Sequence, residues 1–248
     1  MSEVVPAGTV VVHLVRHGKV HNPGQVLYGR LPGYRLAASG RQMAEAVASA
    51  LYRSPASAES PGAPHRIAYL AASPLQRAQE TAAPLARLLG REVVTDERLI
   101  EAGNAFEGSR VAADVRTLLN PKTLVRARNP FTPSWGEPYL DIAHRMLGAV
   151  YTAVAALSDA HGPDGVPPEA VLVSHQLPIV TARRFLLGQR LWHDPRKRQC
   201  SVASVSSLRF VDGVFTQVQY TEPAAHIAAV DDPDEPAPSD RTATEVRS

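Results

Sequence analysis

Apolar residues along this chain come in two rhythms, and the switching between them sets the expected fold. Residues 9–15 (TVVVHLV) are β-branched and apolar almost throughout, as a strand covered on both faces should be, and Gly18 stops the run. Met43, Val47 and Leu51 then recur at helical spacing, which predicts a helix over 40–52 with Ser39 as its cap. The stretch 54–65 (SPASAESPGAPH) is low in complexity and reads as a loop. A second apolar strand is predicted at 67–73. Ser73 is expected to cap a helix with Pro74 in its first turn, running to Leu89 and ended by Gly90. Residues 92–96 (EVVTD) predict a short strand, and 138–157 a helix with Ile142, Met146, Val150 and Val154 along one side. Residues 170–174 (AVLVS) predict a third buried strand, followed by a helix over 178–187. Two last strands, 202–210 and 214–220, are expected to pair as a hairpin about Asp212-Gly213.

Strands alternating with helices predict an α/β fold, a three-layer α/β/α sandwich on a mostly parallel central sheet. The predicted organisation is one catalytic domain over 1–222 and a tail over 223–248, acidic and rich in Pro and Ala, expected to be disordered. In such sheets ligands bind beyond the carboxyl ends of the strands. Three strand ends stand out: VRHG, ASPLQR and VSHQ each deliver Arg or His where a strand stops.

Composition changes this picture little. The chain has 248 residues, 44% hydrophobic and 20% charged, enough to bury a core without covalent staples. One cysteine, Cys200, fits a reducing compartment. No basic segment precedes the short apolar stretch near the start, and no apolar run approaches the roughly 18 residues of a membrane helix. The expectation is a cytoplasmic protein with no membrane partner. Charge adds more. The net charge is +2, but from Thr221 onward seven acidic residues face Arg241 and Arg247, so that segment carries −5 and the rest +7. A basic body favours anionic ligands. Nucleic acid is not among the expected partners, because aromatics are only 6% and do not interleave with the basic residues.

The run VVVHLVRHGKVHN (10–22) places His13, His17 and His21 four apart. Such spacing gathers ligands only on a helix, whereas His13 and His17 on a strand lie about 13 Å apart, too far for one ion. No CxxC, HExxH or acidic metal loop occurs, so no metal and no cofactor is expected. Phosphate chemistry fits better. Arg16-His17 at one strand end and His175 at another can place two imidazoles in one pocket. Arg77, near a helix N-terminus, can add a second guanidinium. A neutral imidazole can attack phosphorus, and nearby guanidiniums keep it neutral by lowering its pKa.

Taken in order, these segments resemble the histidine phosphatase superfamily, in its phosphoglycerate mutase-like branch. Arg16-His17-Gly18 is similar to the RHG signature, and Asn22 to the asparagine that follows it. The stretch 28–44 looks like the entry to the first helix. SPLQRAQETA (73–82) is similar to the second signature and supplies Arg77. LIEAGNAFEG (99–108) resembles the acidic motif, SWGEP (134–138) a further family stretch, and VSHQLPIV (173–180) the second-histidine motif. The resemblance implies a phosphoglycerate mutase-like fold and a metal-independent phosphatase acting on a small phosphorylated substrate. It implies catalytic roles for His17 as nucleophile, Glu101 as acid then base, and His175. It implies phosphate binding by Arg16, Arg77, Asn22 and Gln176.

Other residues carry plainer readings. His13 is expected to be a packed structural histidine, His21 an exposed one, and Glu107 an organiser of its loop. The basic segment RLWHDPRKR (190–198) is read as a solvated loop in preference to a contact for an anionic substrate. The segment 107–138 is expected to form a cap that sets substrate choice. Lys19 stands where the family usually has Glu or Gln, Gln176 replaces the usual glycine, and the acidic motif is one residue short. Two alternatives remain open at this point: phosphoglycerate mutase-type transfer and phosphoprotein phosphatase activity. A non-catalytic binding module is disfavoured by the full set of His17, Arg16, Arg77, Glu101 and His175.

Overall fold

The structure, a computed structural model, describes residues 6–52, 66–104, 107–108, 136–158, 166–194 and 197–227. The elements are β1 (Thr9–Arg16), α1 (Ala38–Tyr52), β2 (Ile67–Ala72), α2 (Gln76–Leu89) and β3 (Val94–Thr95), followed by a 3-10 turn at Glu97–Leu99. Then come α3 (Tyr139–Leu157), β4 (Glu169–Ser174), α4 (Gln176–Leu186), β5 (Val205–Val211) and β6 (Val214–Thr221). The strands form one sheet in the order β3-β2-β4-β1-β5-β6. The first four run parallel, and β5 and β6 add an antiparallel edge.

Residue parity explains the three layers. Val10, Val12 and Leu14 of β1, with Ala170 and Leu172 of β4, pack against Met146, Val150 and Val154 of α3 and Ile179 of α4. Val15, Val171 and Val173 point the other way, onto Met43 and Val47 of α1 and Ala78, Ala82 and Leu85 of α2. A central parallel strand is apolar on both faces because helices cover both, and β4 is buried at every position. β6, at the edge, alternates between exposed and partly buried residues.

Several expectations hold, and several need correcting. Asp212 and Gly213 form the hairpin turn with φ of 49° and 76°, the two positive values that a two-residue turn of this hand requires. Gly90 ends α2 in the left-handed conformation. Ser39 does not cap α1: the helix starts at Ala38, and the Ser39 hydroxyl is buried inside it. Ser73 does not cap α2 either. That helix begins at Gln76 after Leu75, so Pro74 lies outside its first turn. The strand expected over 92–96 shrinks to Val94–Thr95. α3 is long and apolar enough to cross a membrane by length and composition, contrary to the sequence reading, but its apolar side is spent on the sheet. The chain continues past the expected domain end at 222: Ala224 is buried, and Ile227 packs against the α1–α2 side of the core. Most of the expected cap, the expected loop over 54–65 and the tail beyond Ile227 lie outside the described residues.

Candidate active site

The three adjacent parallel strands β2, β4 and β1 end side by side, and backbone bonds tie their ends together. His17 N–H donates to Ser174 O at 3.1 Å, Ser73 N–H to Val173 O at 2.9 Å, and Ala203 N–H to His17 O at 3.1 Å. The residue after each strand is therefore fixed: His17 after β1, Ser73 after β2 and His175 after β4. The two imidazoles meet with ring centroids 5.1 Å apart and planes tilted by 58°. Both are buried, at 2% and 0% exposure.

The partner of His17 assigns the nitrogens of that ring. His17 Nδ1 lies 2.8 Å from the Gly18 carbonyl, which can only accept. Nδ1 must carry the proton, which leaves Nε2 with a free lone pair when the ring is neutral. Burial, then the charges of Arg77 and Arg16, hold the His17 pKa well below the ordinary 6.5. His175 is depressed in the same direction, first by burial and then by His17 and the two arginines. Its Nε2 bonds the Ser73 hydroxyl at 2.8 Å. The sequence suggests Ser73 as a helix cap. Here it orients the second histidine, and its position at the end of β2 is what brings it there.

Arg16 and Arg77 reach the same place from different elements. Arg16 donates one N–H to Cys200 O at 2.6 Å. Arg77, on the first turn of α2, is 1% exposed, donates to Gly29 O at 2.7 Å and lies over the Tyr28 ring. Burying a guanidinium is costly unless charge and hydrogen bonds compensate it. Arg16 Nε, Arg77 Nε and His175 Nδ1 are buried polar atoms without a protein partner. Together with the backbone N–H groups at the start of α4, which begins at Gln176, they make a strongly anion-seeking corner.

Glu101 faces this corner across a cavity of about 800 Å³ that Arg16, His17, Tyr28, Glu101, Gln176 and Arg198 help to line. Burial raises its carboxyl above the ordinary 4.5, although the Ala102 N–H and the charges of Arg77, Arg16 and Arg198 oppose the shift. A set of cations grips its segment from behind. Arg145 donates to Arg98 O at 2.7 Å and Ile100 O at 2.6 Å. Arg30 donates to Glu101 O at 2.7 Å. Glu137 bridges the two arginines, accepting from Arg30 at 2.8 Å and from Arg145 at 2.7 and 3.0 Å.

Of the seven expected site residues, the structure brings His17, His175, Arg16, Arg77, Glu101 and Gln176 together. Asn22 departs from the expectation. Its amide nitrogen donates to Val26 O at 2.9 Å and its oxygen accepts from Val26 N–H at 3.1 Å, so both ends of the side chain hold their own loop. Asn22, like Arg77 and His175, does not itself line the cavity. Gln176 does line it, and its amide lies 3.4 Å from Cys200 O. His13 is a structural residue, held between Glu169 at 3.2 Å and Ser207 at 2.8 Å. Glu107 accepts from Asn104 N–H at 3.2 Å, which organises its loop. Among the described residues no group of His, Cys, Asp and Glu is arranged to hold a metal. The reading of 190–198 as a solvated loop is corrected: Trp192, His193, Asp194 and Arg198 form part of the cavity wall. The excess of cations over acids in that segment was the signal.

Comparison with known proteins gives the same picture. The profile of the Histidine phosphatase superfamily (branch 1) matches residues 12–223. An uncharacterized protein of Mycobacterium tuberculosis is 50% identical over 214 residues, 86% of this chain and 96% of its own. A mycobacterial glucosyl-3-phosphoglycerate phosphatase solved with VO3 superposes with a TM-score of 0.65 at 25% identity, over 85% of this chain and 96% of that one. A phosphoglycerate mutase from Bacillus anthracis shares the fold, with a TM-score of 0.61 at 20% identity over 89% and 96%. The chain belongs to the histidine phosphatase superfamily, and it is a phosphatase of that type.

Proposed function

We propose that the protein hydrolyses the phosphomonoester of a small phosphorylated metabolite through a phosphohistidine on His17, without a metal. The single observation that carries this reading is the state of His17: buried, with Nδ1–H donated to Gly18 O and a pKa held well below 6.5, its Nε2 is a nucleophile near neutral pH.

In the first step the Nε2 lone pair attacks phosphorus and the P–O bond to the leaving group breaks. Glu101, its pKa raised by burial, gives its proton to the departing oxygen. Arg16, Arg77 and His175 supply donors to the phosphoryl oxygens in transfer, Ser73 keeping His175 oriented. In the second step the Glu101 carboxylate takes a proton from water as its oxygen attacks phosphorus. The P–N bond breaks, its electron pair returns to Nε2, and inorganic phosphate leaves.

The test is hydrolysis of p-nitrophenyl phosphate in EDTA by wild type and by His17→Ala, with acid-labile phosphoenzyme trapped from wild type. Activity that survives chelation, with a loss of about a thousandfold or more in the variant, is the expected result. Equal activity in the two proteins, or loss of wild-type activity to EDTA, overturns the proposal.

A further inference from the structure

The basic segment lines a second cavity of about 490 Å³, which shares Trp192, His193, Asp194 and Arg198 with the catalytic one. Arg183, Arg184, Arg190, Lys197 and Arg198 line its described walls, against Asp194 as the one described acid. Outside the recess and the catalytic corner, five arginines are paired with nearby acids: Arg30 and Arg145 with Glu137, Arg66 with Glu169, Arg87 with Glu45 and Arg98 with Asp96. None of the five cations of this recess enters a described ion pair. Arg198 stands at the junction of the two cavities. Its Nε–H donates to His193 Nε2 at 2.9 Å, and His193 Nδ1 donates to Leu191 O at 2.6 Å. That chain of bonds makes His193 a neutral acceptor, so His193 positions the Arg198 charge without cancelling it. Arg184 donates to Arg190 O at 2.6 Å, which holds two further cations on one rim. A concave recess lined by one sign of charge concentrates ligands of the other.

We infer that this recess is the distal half of the substrate site and that it binds a second anionic group, a carboxylate or a second phosphate, on the phosphomonoester. The inference rests on the phosphatase reading and adds a substrate class to it. With the scissile phosphoryl group at His17, Arg16 and Arg77, the remainder of a small substrate runs past Gln176 and Trp192. Its far end reaches Arg198 and then Arg190 and Lys197, where bidentate guanidinium contacts favour an oxyanion.

The experiment compares kcat/KM for glucose 6-phosphate, 6-phosphogluconate and glucose 1,6-bisphosphate, in wild type and in the double variant R190Q/K197Q, whose two sites are exposed. Wild type is expected to prefer at least one doubly anionic substrate by tenfold or more, through KM. The carboxylate and bisphosphate arms say which group is taken. The preference should shrink with added salt and fall to within about twofold in the double variant, while p-nitrophenyl phosphate turnover stays unchanged. Equal kcat/KM for all three sugars in wild type, or a preference that survives the double variant, overturns the inference. Calorimetric binding of the same three ligands to His17→Ala reads the recess without turnover. Selective binding lost in H17A/R190Q/K197Q supports the recess even if hydrolysis fails, so the two proposals fall separately.

Discussion

At the scale of single residues, two ionisations bound the proposed activity. His17 reacts in its neutral form, which its depressed pKa makes available from below 6.5 upward. Glu101 acts first in its protonated form, which its raised pKa preserves to pH values above 4.5. The pH profile of kcat/KM on an alkyl phosphate should therefore rise through a limb below 6.5, set by His17, and fall through a limb above 4.5, set by Glu101. Glu101→Gln should remove the falling limb and keep the rising one; a falling limb that persists unchanged in Glu101→Gln would count against Glu101 as the acid. Glycine sets a second constraint. A Cβ on Gly18 would lie 2.5 Å from Gly40 O, and one on Gly40 would run into Lys19 O, so the loop after the nucleophile and the start of α1 meet backbone to backbone. Gly18→Ala must displace the His17 loop. The expected result is a roughly hundredfold loss of kcat/KM, the size of effect that a misplacement of about 1 Å produces, with near-native far-UV circular dichroism. The sequence made these residues legible only as types at strand ends. It did not show that Ser73 serves His175, or that Asn22 spends both ends of its side chain on Val26, because which way a short polar side chain turns depends on neighbours distant in the chain.

At the scale of elements, the Glu101 segment is rigid because two arginines hold its carbonyls and one glutamate holds the arginines. Glu137→Gln keeps the shape of that bridge but weakens its grip. KM should change little, and kcat should fall more on an alkyl phosphate than on p-nitrophenyl phosphate, whose leaving group needs a proton less. An equal fall on both substrates would assign Glu137 a merely structural part. Within the sheet, Glu169 at the start of β4 is 6% exposed and meets both His13 and Arg66. Removing one partner of a buried ion pair leaves the others uncompensated, so Glu169→Ala should cost about 3 kcal/mol, read as a lowered denaturation midpoint with kcat unchanged. β-branched runs and helical spacing made β1, β2, β4 and their helices readable. The helix starts were less so: Ser39 and Ser73 have the right chemistry for caps, but the first is buried inside α1 and the second is taken by His175.

At the scale of the molecule, the catalytic corner draws on residues 16 to 198, yet it occupies the mouths of three neighbouring strands. The fold class was legible because elements alternate along the chain. The join between the two cavities was not, since it depends on where the segment after α4 comes to rest. The domain also reaches past its expected end. Deleting 223–248 removes the buried Ala224 and the packed Ile227, whereas deleting 228–248 spares them. Differential scanning calorimetry should show a lower Tm for the first truncation than for the second, by several degrees if burying these two side chains is worth about 1–2 kcal/mol.

The strand order has a further consequence for how the protein is made. β1 and β2 do not touch; β4 sits between them, and β5 covers the other side of β1. A ribosome therefore releases β1 long before either of its neighbours, and β2 with only the two-residue β3 beside it, so a nascent chain short of Glu169 carries apolar strands with open hydrogen-bonding edges. Such a chain also lacks His175. Premature termination or cleavage upstream of β4 thus yields no half-active enzyme, only an aggregation-prone fragment for chaperones and proteases to clear.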